Sequence, residues 1–248
     1  MSDDREMSLI EHLSELRDRL LRAIAAVFIA FLPFGYYAND VFAFVSEPFR
    51  SLFPGGEAMM IATDPTSPVF TPFKLAFVAG ALAAMPYVLY QAWSFIAPGM
   101  YRHERRFALP LLVSSVVLFY VGVAFAYYVV CPVIFAFIAS TTPEGVKMMP
   151  DIMRYLDFVL AMMFAFGLAF EIPVATVLLV WAGITTPQSL ADKRPYLIVG
   201  CFVVGAVLTP PDVVSQTLLA LPMWLLFEAG ILASRILTDR RERAVVTE

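Results

Sequence analysis

Six apolar blocks separated by short polar loops limit most strongly what this chain of 248 residues can fold into. The blocks cover residues 23–38, 75–97, 107–139, 158–183, 196–208 and 213–234. Several of them approach the roughly 20 apolar residues that a helix needs to cross a bilayer. The chain is 60% hydrophobic and 15% charged, against about 45–50% and about 25% in soluble domains. We therefore predict a single all-α integral membrane domain over residues 1–248.

The last two blocks are short, and the residues between them allow two interpretations. One is an unbroken segment from 196 to 234, and the other is two short helices separated at 209–212, which read Thr-Pro-Pro-Asp. Tandem prolines remove two backbone donors and clash with the preceding turn. We therefore predict two short final helices and six transmembrane helices in all.

The distribution of Lys and Arg predicts the orientation of these helices. With both termini on one side, only Arg50, Lys74, Lys147 and Arg154 of the 17 basic residues fall on the other. Because cytoplasmic loops are enriched in Lys and Arg, we predict a cytoplasmic N-terminal segment at 1–22 and a cytoplasmic tail at 235–248. On the opposite side we expect the proline-rich and phenylalanine-rich segment 39–73 to form a stiff, turn-rich periplasmic cap.

The composition also excludes several functional classes. A net charge of −4 provides no basic face for nucleic acid. His12 and His103 are too few and too far apart for a readable metal site, and Cys131 and Cys201 are expected to be small core residues. No phosphate-binding loop or Ser/His/Asp set is present in the sequence. We therefore predict no enzyme activity, no cofactor and no metal.

The first 22 residues have the pattern of an amphipathic helix, which either runs along the membrane surface or leads straight into the first span. Its apolar stripe consists of Leu9, Leu13, Leu16 and Leu20. Glu15 and Arg19 lie four residues apart, as do Asp18 and Arg22. This spacing favours ion pairs on a solvated helix face.

Two acidic residues lie inside apolar blocks. Glu171 precedes Pro173 by two residues, and proline opens the local helix because it lacks a backbone donor. A charged side chain at mid-bilayer costs at least about 2.5–3.5 kcal/mol. We therefore expect Glu171 to be protonated and to contact a polar partner. Glu228 lies nearer to the predicted cytoplasmic interface, where a structural and a functional role remain equally open.

Together these segments resemble the TatC subunit of the twin-arginine protein translocase over nearly the whole chain, from His12 to Glu228. The most specific stretches are 95–106 (FIAPGMYRHERR), 170–173 (FEIP), 193–196 (KRPY) and 208–216 (LTPPDVVSQ). The six-helix layout of that family, with both termini in the cytoplasm, agrees with the topology predicted from the residues.

The resemblance implies that the chain receives folded proteins whose signal peptides carry two adjacent arginines. They are exported across the cytoplasmic membrane with TatA and TatB, driven by the proton-motive force. By resemblance, Glu15 and Glu104 each bind one arginine, and Arg17 and Phe95 shape the same surface. A carboxylate accepts the planar fork of a guanidinium bidentately, which an ammonium cannot copy. Self-association in a multimeric complex is also implied.

The resemblance also directs attention to residues beyond the cytoplasmic face. We expect Glu171, Thr209 and Gln216 to contact a polar residue of a TatA or TatB helix or of the signal hairpin. Pro48 and Asp212 are expected to serve assembly or translocation after signal binding. The alternative is a proton-coupled small-solute transporter that uses Glu171. It predicts a continuous polar pathway and paired broken helices, whereas the sequence shows a lone mid-membrane acid.

Overall fold

The computed structural model describes residues 9–51, 59–96, 108–143, 146, 148–209 and 213–246. This part of the chain forms ten α-helices, one π turn and an isolated β-bridge, so the expected all-α architecture is confirmed. The helices are α1 (Leu9–Tyr36), α2 (Ala38–Arg50), α3 (Ser67–Ile96), α4 (Ala108–Phe125), α5 (Cys131–Thr141), α6 (Ile152–Ala169), α7 (Ile172–Trp181), α8 (Pro187–Asp192), α9 (Arg194–Leu208) and α10 (Val213–Val246).

Within these ranges, five helical stretches are long and apolar enough to cross a membrane. They are Glu11–Tyr36, Ser67–Phe95, Leu109–Thr141, Ile152–Trp181 and Val213–Thr238. Helix α9 is apolar but has only 15 residues, which is short of the roughly 20 that a perpendicular span requires. The prediction that the last helix is also short is wrong, because α10 has 34 residues. Beyond residue 234, α10 contains no proline, and its four Arg residues and Glu242 are good helix formers.

Residue proximity divides the chain into two compact units, which are described separately. The first unit contains Met1–Phe42 and Pro72–Val116, and the second contains Ala43–Thr71 and Val117–Glu248. In the first unit α1 is continuous from Leu9 to Tyr36. Of the two arrangements considered for the N-terminal segment, the helix therefore leads straight into the first span.

Helices α1 and α3 pack antiparallel within the first unit. The rings of His12 and Phe95 stack with centroids 4.4 Å apart, and those of Phe31 and Phe77 lie 6.4 Å apart. A Cβ atom on Gly80 would lie 2.7 Å from the backbone nitrogen of Phe31. Any side chain at Gly80 would therefore push the two helices apart.

The segment 39–73 differs from the turn-rich loop that its prolines led us to expect, because it begins with helix α2. Val45, Ser46 and Phe49 are 3%, 1% and 1% exposed, whereas Phe44 is 52% exposed. Residues three and four positions apart share one face of a helix, so α2 buries one side in the second unit. Its phenylalanines follow this amphipathic pattern and not that of a loop.

The other helices of the second unit approach each other at glycines. A Cβ atom on Gly122 of α4 would overlap the carbonyl oxygen of Phe166 in α6. A Cβ atom on Gly230 of α10 would lie 2.9 Å from the Cα of Pro173 in α7. The opposing atoms belong to the backbone, which cannot rotate away, so both positions require glycine.

Candidate functional site

Glu15 lies on α1 and already binds a guanidinium. The Nε of Arg19 donates a hydrogen bond to Glu15 Oε1 at 2.8 Å, and Nη2 of Arg19 donates to the same oxygen. The two side chains are 24% and 20% exposed for Glu15 and Arg19, respectively. The ion pair predicted from their four-residue spacing is confirmed.

Arg19 also connects α1 to α3. Its Nη1 donates to Oε1 of Gln91 at 3.5 Å, and Gln91 is only 5% exposed. A buried amide requires hydrogen-bond partners, and Arg19 supplies one. The sequence analysis missed Gln91, although a single amide within the apolar block 75–97 was a usable signal.

Phe95 lies on the same α1–α3 pair as Glu15. Its ring stacks on His12 with an interplanar angle of 20°. His12 precedes Glu15 by three residues and Gln91 precedes Phe95 by four, so each pair shares one face of its helix. The structure therefore brings the candidate residues Glu15 and Phe95 together on one surface, which consists of His12, Glu15, Arg19, Gln91 and Phe95. We call it the α1–α3 polar surface.

Arg17 occupies a different face of α1. Its Nε and Nη2 donate to Oδ1 of Asp18 at 2.9 and 2.8 Å, and the two side chains are 69% and 49% exposed. Residues two positions apart on a helix do not face each other, so Arg17 points away from Glu15. The four-residue spacing of Asp18 and Arg22 had suggested an ion pair between them. Asp18 instead pairs with Arg17.

Two candidate residues cannot be placed. Glu104, the second carboxylate expected to bind an arginine, lies outside the described residues, and so does Asp212. Their roles remain predictions from the resemblance.

Glu171 lies at a two-residue break between α6 and α7. Helix α6 ends at Ala169, and Pro173 is the second residue of α7. Proline is favoured in the first turn of a helix and disfavoured inside one, so the break follows from Pro173 as predicted. The Glu171 carbonyl accepts a hydrogen bond from the backbone N–H of Ala175 at 2.8 Å, and the residue is half-buried.

Thr209 and Gln216 each lie beside Gly205. The hydroxyl of Thr209 donates to the carbonyl oxygen of Gly205 at 2.8 Å, and Thr209 is 6% exposed. A Cβ atom on Gly205 would lie 3.5 Å from the Cα of Gln216. The structure thus brings two of the three expected intramembrane contact residues to one end of the α9–α10 pair.

Pro48 is buried inside α2, and the structure gives a physical account of its position. Proline has no backbone N–H, so the Phe44 carbonyl one turn earlier lacks its helical donor. The hydroxyl of Tyr127 donates to this carbonyl at 2.5 Å, and the two rings stack with centroids 4.6 Å apart. The hydroxyl of Tyr155 donates to the neighbouring Val45 carbonyl at 2.9 Å. Two tyrosines therefore attach α2 to the π turn after α4 and to α6.

Asp151 joins the start of α6 to the segment that precedes α3. Its Oδ1 accepts from the backbone N–H groups of Met153 and Arg154, and its Oδ2 accepts from the hydroxyl and backbone N–H of Thr63. Ile61 and Asp151 also form a parallel β-bridge. Hydrogen bonds to the charged form, that of the Thr63 hydroxyl first, lower the pKa of Asp151 to about 2. We call this arrangement the Asp151 latch.

A second ion pair joins α9 to α10. The Nη2 of Arg194 donates to Glu228 Oε2 at 2.8 Å, and its Nε donates to Oε1. This contact supports the structural role of Glu228. Arg194 lies 34 residues from Glu228 in the chain, so local spacing does not indicate this contact. Among the side chains that the structure describes, no group of three His, Cys, Asp or Glu residues could hold a metal ion.

Comparisons with known proteins find related proteins over most of this chain. Residues 11–222 match the family described as Sec-independent protein translocase protein (TatC). The TatC protein of Azotobacter chroococcum is 59% identical over 241 residues, which are 97% of this chain and 94% of that protein. The TatC protein of Escherichia coli is 56% identical over 235 residues, which are 95% and 91% of the two chains.

The fold also matches a solved structure described as a crystal structure of the twin arginine translocase receptor TatC. The TM-score is 0.83 at 39% sequence identity, and the match covers 92% of this chain and 100% of the other. The helices are those of a multi-pass membrane protein, and the relatives are named as components of a protein translocase. This chain therefore belongs to the TatC family of Sec-independent protein translocase proteins.

Proposed function

We propose that this chain is the receptor and core subunit of a twin-arginine translocase. It binds the twin-arginine signal peptide of folded precursor proteins on the cytoplasmic face of the inner membrane. Together with TatA and TatB, it mediates their export, driven by the proton-motive force. Both termini are cytoplasmic in this proposal, which rests on the Lys and Arg distribution.

The observation that supports this proposal best is the contact between Glu15 and Arg19. The carboxylate of Glu15 already accepts two hydrogen bonds from one guanidinium at a half-buried position. Charge-assisted bonds of this kind are about twice as strong as neutral ones. Glu15 therefore has the chemistry and the partial burial that recognition of a signal arginine requires.

The neighbouring residues of the α1–α3 polar surface suit a peptide that continues into apolar sequence. The stacked rings of His12 and Phe95 form a flat contact area close to Glu15. Glu104 follows Phe95 by nine residues and supplies the second carboxylate by resemblance. Two carboxylates on separate segments would each bind one arginine, so the site requires two arginines in the signal peptide.

The remaining candidate residues belong to the assembly part of the proposal. Thr209 and Gln216 each lie beside Gly205 at one end of α9 and α10. In our proposal they and Glu171 contact a single-span TatA or TatB helix. Pro48 and Asp212 serve assembly on the periplasmic side, since Pro48 lies in the helix that Tyr127 and Tyr155 hold in place.

Site-specific photocrosslinking tests this function. Membranes that contain the complete complex are incubated with a twin-arginine signal peptide or with its Lys-Lys counterpart, each carrying a photoreactive group. We expect crosslinks of the Arg-Arg peptide to this chain, with few from the Lys-Lys peptide. Glu15→Gln and Glu104→Gln should each remove the crosslinks, because each variant leaves one guanidinium without its carboxylate.

The matched control is Asp40→Asn, which removes one negative charge from an exposed position beyond the other end of α1. It should leave crosslinking unchanged. Equal crosslinking of both peptides, or insensitivity to both Glu variants, would refute the proposed receptor function.

A further inference from the structure

The proposed signal-binding carboxylate, that of Glu15, already binds the guanidinium of Arg19. Arg19 presents Nε and Nη2 side-on to Oε1 of Glu15, and this is one of the ways in which an arginine binds a carboxylate. The pair is part of α1 itself and needs no other molecule. An arginine of a signal peptide that binds Glu15 in this way must therefore replace Arg19.

Burial distinguishes this pair from an ordinary surface contact. Arg19 and Glu15 are 20% and 24% exposed, whereas Arg17 and Asp18 on the same helix are 69% and 49% exposed. Exposed pairs contribute little to stability because water competes for both charges. Partial burial removes some of this competition, so the Arg19 pair contributes more than the Arg17 pair.

Arg19 also has an acceptor to which it can turn. Oε1 of the buried Gln91 lies 3.5 Å from Nη1 of Arg19. If Glu15 changes partner, the guanidinium keeps this acceptor and remains solvated along its exposed edge. Displacement of Arg19 therefore does not leave a buried charge without a partner, which would otherwise be a large cost.

We propose that Arg19 is an internal competitor that occupies Glu15 in the resting protein and sets the affinity threshold for signal peptides. This inference rests on the proposed receptor function and extends it. Arg19 does not contact the peptide in this proposal and affects binding only through its contact with Glu15. Any cationic segment that reaches the surface must replace a guanidinium, and a weakly bound segment is therefore rejected.

Competition of this kind predicts how the affinities for different peptides change together. Removal of the competitor strengthens binding of every ligand of Glu15 by the same factor, so the ratio of the Arg-Arg and Lys-Lys affinities stays constant. We expect Arg19→Gln to tighten binding of both labelled peptides by roughly two- to fivefold, the equivalent of an ion pair of about 0.5–1 kcal/mol. Arg19→Lys keeps the charge but loses the fork, so its effect should be smaller.

The experiment measures the dissociation constant of a fluorescent twin-arginine signal peptide and of its Lys-Lys counterpart in membranes that hold the complete complex. Arg22→Gln is the charge-matched control, because it removes one positive charge from an exposed position one turn along α1. It should change both constants little. In a Glu15→Gln background, Arg19→Gln should not restore peptide binding, because the competitor then has no carboxylate to occupy.

The outcomes separate the inference from the function on which it rests. Unchanged or weaker peptide binding by both Arg19 variants, with binding still dependent on Glu15, would overturn the competitor role alone. The same tightening in Arg22→Gln would also overturn it, since the effect would then be general charge repulsion. Binding that does not depend on Glu15 in the wild-type protein would overturn the receptor function as well.

Discussion

The α1–α3 pair and the group formed by α7, α9 and α10 each contain an Arg–Glu ion pair and a close approach at glycine, but they use them differently. The pair in α1 links two residues of one helix, Glu15 and Arg19, whereas Arg194 and Glu228 link two helices. Burial differs as well. In the most apolar stretch of α1, 6% of the residues are buried, whereas 39% of the residues are buried in the most apolar stretch of α10.

The Glu15–Arg19 contact can therefore change partners, whereas the Arg194–Glu228 contact holds two helices together. Opening the Glu15–Arg19 pair needs only side-chain rotation, because both residues stay on the same helix. Opening the Arg194–Glu228 pair removes a link between α9 and α10. The region proposed to bind peptides is therefore the one whose ion pair can change partner without moving a helix.

The largest expected effect comes from the glycine contacts. Gly230→Val should destabilise the protein by about 3 kcal/mol, the upper end for overpacking, because its Cβ would meet the Pro173 backbone at 2.9 Å. Gly80→Val should cost less, since α1 is less buried and can shift. Gly200→Val is the control, because its Cβ would have no atom within 4 Å. Thermal unfolding in detergent measures all three, and equal effects at Gly80 and Gly230 would contradict the comparison.

The two ion pairs should respond differently to the loss of charge. Glu228→Gln should destabilise the protein by about 1–2 kcal/mol, since it weakens two charge-assisted hydrogen bonds between helices. Glu15→Gln should change the free energy of unfolding by about 0.5–1 kcal/mol, while it removes signal-peptide binding. Unfolding temperatures and peptide binding measured on the same preparations test both parts. A larger loss of stability in Glu15→Gln would reverse the assignment of the two pairs.

The tyrosine contacts of α2 give a smaller and coupled effect. Tyr127→Phe should cost about 1 kcal/mol, because the Phe44 carbonyl loses its donor. In a Pro48→Ala background the cost should fall, since the backbone N–H of residue 48 can then reach that carbonyl. Tyr128→Phe is the control, at a residue that is 66% exposed. A double-mutant cycle without coupling would show that Pro48 and Tyr127 act independently.

The smallest effect concerns the Asp151 latch. Because the pKa of Asp151 is lowered to about 2, the latch stabilises the protein at pH values above the ordinary carboxyl pKa of about 3.9. This contribution is lost as the pH falls through about 2. Asp151→Asn should therefore lower the unfolding temperature at pH 6, and the difference from wild type should shrink between about pH 4 and pH 2. Asp40→Asn serves as an exposed control, and a difference independent of pH would exclude the carboxylate as the cause.

Local features of the sequence were sufficient for much of the fold. Hydrophobic blocks predicted the apolar helices, and Pro173 predicted the break at Glu171. The spacing of Glu15 and Arg19 predicted their pair, since residues four apart on a helix are neighbours. The prolines of segment 39–73 were misleading, because they predicted a turn-rich segment, whereas Pro48 lies inside helix α2. Tyr127, distant in sequence, supplies the missing donor.

The candidate site depended more on tertiary structure. The sequence did not indicate that Gln91 binds Arg19, or that His12 stacks on Phe95. Each contact depends on the register of α1 against α3, which the approach at Gly80 helps to set. The same holds for Arg194 and Glu228, whose meeting depends on the packing of α9 against α10.

By itself, the sequence determined that this chain is a multi-pass helical membrane protein, where most helices lie, and that Pro173 interrupts the helical segment at Glu171. The reason is that in lipid each backbone donor and acceptor must be satisfied within its own helix, so spans are decided locally. Only the tertiary structure decided which side chains meet between helices. Helix packing among apolar faces is set by shape and register, and these are properties of two segments together.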